Sequence, residues 1–98
     1  MKFAQTIEFR TSRIADLDDY FDAWIARTSG HRIPHRAVLM RDRDADNQYL
    51  LMVEFPSHNQ GMENSSRPAT AEFAAFLVGI CDGRPAFRNL DLLREDDL

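Results

Sequence analysis

Apolar residues near the start of the chain recur at every second position. Phe3, Ile7 and Phe9 fall on one side of that pattern and Thr6, Glu8 and Arg10 on the other, which predicts a strand over residues 2 to 10. Thr11 or Ser12 then offers a side-chain oxygen to cap a helix, and the aspartates that follow suit the positive end of its dipole. From there the spacing changes. Ile14, Leu17, Phe21, Trp24, Ile25 and Thr28 share one helical face, with Asp18, Asp22 and Arg27 turned outward, and Gly30 supplies a left-handed stop.

Residues 36 to 41 (RAVLMR) and 48 to 55 (QYLLMVEF) predict two strands around the turn DRDADN, where Asp and Asn tolerate turn geometry. The third strand is apolar on both faces, with Tyr49, Leu51, Val53 and Phe55 on one and Leu50 and Met52 on the other. Helices on one side of the sheet would leave Leu50 and Met52 in water, so a cover is expected. The simplest cover is the sheet of a second copy.

Ser57 can cap a short helix with Gln60 three places on, the capping-box spacing. That segment stops around Ser65 to Pro68, and a second helix from about Thr70 carries Phe73, Phe76, Leu77 and Ile80 on one stripe, closed by Gly83 and Pro85. Residues 86 to 93 (AFRNLDLL) predict a last strand, and residues 94 to 98 (REDDL) a frayed tail. The order β-α-β-β-α-β describes an α+β fold, a ferredoxin-like sandwich over a single domain spanning residues 1 to 98.

Charge narrows the classes of partner. Twelve basic against 16 acidic residues give a net charge of -4, with no basic block of the kind that displaces phosphate counterions, so nucleic acid is set aside. No stretch approaches the roughly 20 apolar residues of a membrane span, so no membrane partner is expected. Cys81 is the only cysteine, which rules out an internal disulfide and suits a reduced cytoplasmic setting.

With these elements in order, the chain resembles the dimeric α/β-barrel superfamily, which includes the antibiotic-biosynthesis-monooxygenase-like and stress-responsive barrel proteins. The resemblance covers about residues 2 to 93 and rests on element order, the two-sided third strand, and two stretches. VEFPSHNQGMENSSRPATAEFAAFL is similar to the strand, broken helix and long helix of that group, and CDGRPAFRNLDL to its closing strand. It implies a homodimer paired through its sheets into a barrel, and a cleft between sheet and helices used for diverse small molecules. Activities in the superfamily range from cofactor-independent oxygenation of aromatic polyketides to haem degradation and isomerisation. The fold alone does not select among them.

The stretch HRIPHR, residues 31 to 36, concentrates candidate chemistry. Pro34 keeps it out of a helix, so His31 and His35 are not a pair on adjacent turns. Extended, four residues span roughly 13 Å, whereas nitrogens sharing a zinc ion at about 2.1 Å lie within a few ångströms of each other, so no metal site is expected. The plain reading is a polar entrance to the second strand. The sharper one makes His35 a proton donor or acceptor at a pocket, since imidazole titrates near neutrality.

His58, in a first helical turn, is a second candidate for proton transfer, against the alternative of a surface histidine. Tyr20 and Trp24, four apart on the first helix, would make an aromatic wall for a planar ligand, or else simply join the core. Asn64 and Asn89 are candidate ligand-binding amides, with capping or edge exposure as the alternative. Cys81 ends a helix, where the dipole raises a thiol pKa, so it is not read as a nucleophile. A catalytic triad, a phosphate-binding glycine loop and a dinucleotide fingerprint are absent, so no cofactor is expected.

Two functions therefore stand. One is a small homodimer that binds a planar or hydrophobic molecule between sheet and helices, as a cofactor-independent monooxygenase or an isomerase. The alternative is a non-catalytic metabolite-binding or protein-interaction module, favoured by the scarcity of titratable groups on the apolar faces.

Overall fold

The computed structural model describes residues 1 to 98. Four strands and three helices follow in the order β1 (Phe3–Arg10), α1 (Ile14–Arg27), β2 (Arg36–Arg41), β3 (Gln48–Phe55), α2 (His58–Ser65), α3 (Pro68–Ile80) and β4 (Ala86–Asp91). The strands form one antiparallel sheet in the order β2-β3-β1-β4. This is the expected ferredoxin-like α+β fold, with its last helix preceded by the short α2. No helix is long and apolar enough to cross a membrane.

Period-two patterning fixes which side chains meet the helices. Strand β1 pairs with β3 from Phe3↔Phe55 to Arg10↔Gln48 and with β4 from Phe3↔Asp91 to Glu8↔Ala86. Its odd-numbered side chains, Phe3, Gln5, Ile7 and Phe9, therefore share a face with Leu51, Val53 and Phe55 of β3 and with Phe87 and Asn89 of β4. The helices lie against that face. Leu17 of α1 and Leu77 and Ile80 of α3 pack with Ile7, Phe9, Tyr49 and Leu51 in the core.

The opposite face carries Val38, Met40, Leu50, Met52 and Leu90. Met40 is 41% and Leu90 45% exposed, so apart from the corner where residues 92 to 95 return against Lys2, the chain lays no covering layer over this face.

The β2–β3 hairpin has the expected boundaries, with Arg36↔Glu54 and Arg41↔Tyr49 at its ends. In its turn the Asp44 backbone N–H donates to Asp42 Oδ1 at 2.8 Å, and Asn47 adopts the left-handed conformation with φ 60°. At α2, Ser57 Oγ accepts from the Gln60 backbone N–H, as the capping-box spacing predicts.

Other element ends differ from the expectation for identifiable reasons. Helix α1 has no side-chain cap: its flanking residue is Arg13, and Thr11 is fully buried with its hydroxyl donating to the Ile80 carbonyl at 2.6 Å. The same oxygen accepts from the Arg13 backbone N–H, so Thr11 joins the β1–α1 connection to the end of α3. The helix ends at Arg27, with the Thr28 hydroxyl turned back on the Trp24 carbonyl at 2.7 Å, and Gly30 supplies the expected left-handed residue just beyond it at φ 81°. Helix α3 begins at Pro68 and not at Thr70, since a missing N–H costs nothing in the first turn. Strand β4 ends at Asp91, two residues short of the patterned stretch.

Candidate functional site

Between the inward face of the sheet and the helices lies a cavity of about 360 Å³, within the usual range for small-molecule sites. Helices supply aromatic and apolar walls from Phe21, Trp24, Ile25 and Phe73, and the sheet adds Ile7, Val53, Phe55 and Phe87. Trp24 reaches this position because α1 buries the stripe that also carries Leu17 and Phe21. Its ring stands edge-on to Phe21 at 6.3 Å between centroids.

One wall is polar. Gln5 faces inward between Phe3 and Ile7 and opposes Asn89 across the β1–β4 pair. Its amide Nε2 donates to Asn89 Oδ1 and to Ser65 Oγ, each at 3.2 Å. With its oxygen thus occupied, Asn89 presents its own N–H groups as donors, the assignment being set by the hydrogen-bond network. Asn64 also lines the cavity, and its backbone carbonyl takes the Thr70 hydroxyl at 2.6 Å, which pins the break between α2 and α3.

The lining also includes Arg32, His35, Arg36 and Arg88 and no carboxylate, with the Arg36 and Arg88 side chains on the outer face of the sheet, where they meet Glu54 and Glu8. His35 extends the β2–β3 ladder through its backbone N–H, which donates to the Glu54 carbonyl at 3.0 Å. Its Nε2 stands 3.7 Å from Glu54 Oε2, and its side chain is 37% exposed. Glu54 is buried at this corner, with Lys2 Nζ and Arg36 Nη1 also within 4 Å.

The candidates from sequence divide. Trp24, His35, Asn64 and Asn89 line one cavity, while Tyr20 and His58 do not. Tyr20 stacks on Phe76 with centroids 4.3 Å apart, in the seam between α1 and α3, so it makes no common wall with Trp24. His58 sets its ring edge-on to Phe3 at 5.0 Å. His31 also stays outside the lining, its carbonyl accepting from Arg67 Nη1 at 2.7 Å. No group of three or more His, Cys, Asp or Glu gathers with metal-binding geometry. The Cys81 thiol is pushed up, by burial first and by the neighbouring Asp82 second.

No protein-family profile matches the chain, and no curated protein does. Solved structures match along nearly its whole length. SnoaB, a cofactor-independent oxygenase from Streptomyces nogalater, superposes with a TM-score of 0.76 at 17% identity, covering 96% of this chain and 95% of that one. The chain shares the ferredoxin-like α+β fold of that oxygenase. Rv0793 from Mycobacterium tuberculosis shares it at a TM-score of 0.75 and 18% identity, with 99% and 100% covered. An antibiotic biosynthesis monooxygenase shares it at 0.69 and 9% identity, with 96% and 100% covered.

Sequence reasoning passed over Gln5, Ser65, Arg32 and Phe87. Gln5 had a signal: it is the one polar residue on the apolar side of β1. Arg32 lay inside the stretch HRIPHR but was overshadowed there by the histidines. Ser65 and Phe87 gave no sign, because their approach to the cavity depends on how α2 and β4 pack.

Proposed function

We propose that this chain binds a planar, largely apolar small molecule in the cavity between sheet and helices and acts on it as a cofactor-independent oxygenase or an isomerase. The observation that carries this reading is the convergence of one imidazole, His35, and two amides, Asn64 and Asn89, on a cavity with aromatic walls. The oxygenase likeness of the fold agrees with it. In this reading Trp24 and Phe21 hold the ring system. His35 takes a proton from an activated C–H or phenolic O–H, and the amide N–H groups stabilise the oxyanion that forms. The resulting carbanion is itself the reductant of O2. Combination gives a peroxide, and loss of water converts CH2 to C=O. Return of the proton to another carbon gives isomerisation instead.

Tyr20 supports this wall from behind through the α1–α3 seam, and His58 is left without a role in proton transfer. The chain assembles as a homodimer through the apolar outer face of the sheet, where Met40, Leu50, Met52 and Leu90 meet a second copy. A non-catalytic binding module is the second reading, favoured by the cavity lining holding no carboxylate and no histidine besides His35.

Aerobic incubation with a panel of anthrones and dihydroxynaphthalenes tests these readings, with product formation and oxygen uptake followed together. Turnover that falls at least about tenfold in His35→Ala and in Trp24→Phe supports the enzyme. Binding without product supports the module, and turnover unchanged in both variants refutes the assigned roles.

A further inference from the structure

We propose that the ligand of this cavity carries a carboxylate, and that Arg32 is the residue that selects for it. This rests on the cavity being a ligand site, as argued above, and adds the chemical class of the ligand. The chain as a whole is acidic, with a net charge of -4, yet no Asp or Glu lines the cavity, and the Arg32 guanidinium stands against its Trp24 wall. A cleft of one sign with low-dielectric walls concentrates ions of the other sign.

The other two arginines of the lining, Arg36 and Arg88, fall on the opposite face of the sheet by register and meet carboxylates there. Arg36 Nη1 stands 3.8 Å from Glu54 Oε2, and Arg88 Nη1 stands 3.2 Å from Glu8 Oε2. Arg32 has no carboxylate partner. Its guanidinium carbon lies 5.8 Å from the centroid of the Trp24 ring, and Nη2 donates to the Ile25 carbonyl at 3.4 Å. These contacts hold the guanidinium plane at the mouth and leave most of its N–H groups free. A planar fork matches the two oxygens of a carboxylate, and lysine would supply only a point charge in its place. A ring system against Trp24 with its acidic group at Arg32 uses both halves of the site at once.

Trp24 is the only tryptophan of the chain, so its fluorescence reports on the cavity wall. The test titrates the intact protein at pH 7 with anthracene-2-carboxylate and with anthracene-2-carboxamide, two probes of the same shape that differ in charge. The carboxylate is expected to bind tighter by about tenfold or more. Arg32→Gln should abolish the preference, with an unchanged melting temperature showing that the variant is folded. Arg32→Lys should restore part of it.

Equal binding of the two probes would overturn charge selection and leave the cavity standing. A preference that survives Arg32→Gln, or one lost equally in Arg43→Gln on the distant β2–β3 turn, would overturn the role of Arg32. Absence of any response to either probe would overturn the ligand cavity itself, and this inference with it.

Discussion

Gly61 of α2 meets the Phe3 ring so closely that an added β-carbon would stand 2.5 Å from both Cδ2 and Cε2. Phe3 is 2% exposed and held by Phe55 and His58, so its ring has nowhere to go. In Gly61→Ala, the helix-propensity gain of about 1 kcal/mol is outweighed by overpacking of about 1–3 kcal/mol. The melting temperature should fall. Because α2 carries Asn64 and Ser65, probe affinity in the cavity should fall too, and a melting temperature at or above that of the parent would show that α2 shifts freely.

Thr11→Val removes the hydroxyl that serves the Ile80 carbonyl and the Arg13 backbone N–H while nearly preserving shape. Thr11 is fully buried, so the stranded groups cannot all reach water, and the cost should be about 1–3 kcal/mol. Chemical denaturation reads this directly as a lower midpoint at unchanged slope.

Met52→Asp places a charge in the middle of the outer sheet face. If that face is covered by a second copy, the variant should run as a monomer or fail to fold, because the charge would be buried without a partner. Light scattering across a dilution series decides this, and a normal dimer would remove the sheet-to-sheet arrangement.

Lys2 and Glu95 tie the two ends of the chain together at 3.0 Å, both half exposed. The Lys2 hydrogen bond, foremost, holds the Glu95 carboxyl below its ordinary 4.5, and the same bond raises Lys2 above 10.5. A lowered carboxyl contributes stability above 4.5 and loses it as pH falls through the folded value. A raised lysine contributes below 10.5 and loses it as pH rises through its own folded value. The contact is therefore strongest between those limits and weakened by salt. Carboxyl titration followed by carbon NMR should find Glu95 depressed in the parent and returned towards 4.5 in Lys2→Met.

The strands were legible because alternation is a local property: RAVLMR and QYLLMVEF are strands with the boundaries their patterns predict. The break between α2 and α3 was legible too, since Ser57 and Pro68 act within a few residues of themselves. Thr11 was misread because its partner, Ile80, lies 69 residues away, and that tertiary bond won over helix capping. The site divided in the same way. Trp24 could be placed by helical spacing and Asn89 by its interruption of an apolar strand. Tyr20 and Trp24, close on one helix, were separated by α3, whose Phe76 took the tyrosine ring. Arg32 gained its place only when the loop folded back over Trp24.

The position of β1 in the sheet has a consequence for synthesis. This strand emerges first, yet it pairs on one side with β3 and on the other with β4, across sequence separations such as that of Gln5 from Asn89. On the ribosome its second edge stays open until β4 has left the exit tunnel, so the polar wall of the cavity closes as a late event. A nascent chain halted before Ala86 would hold its aromatic residues on α1 and α3 but lack Phe87 and Asn89, so the cavity wall is completed only when the last strand arrives.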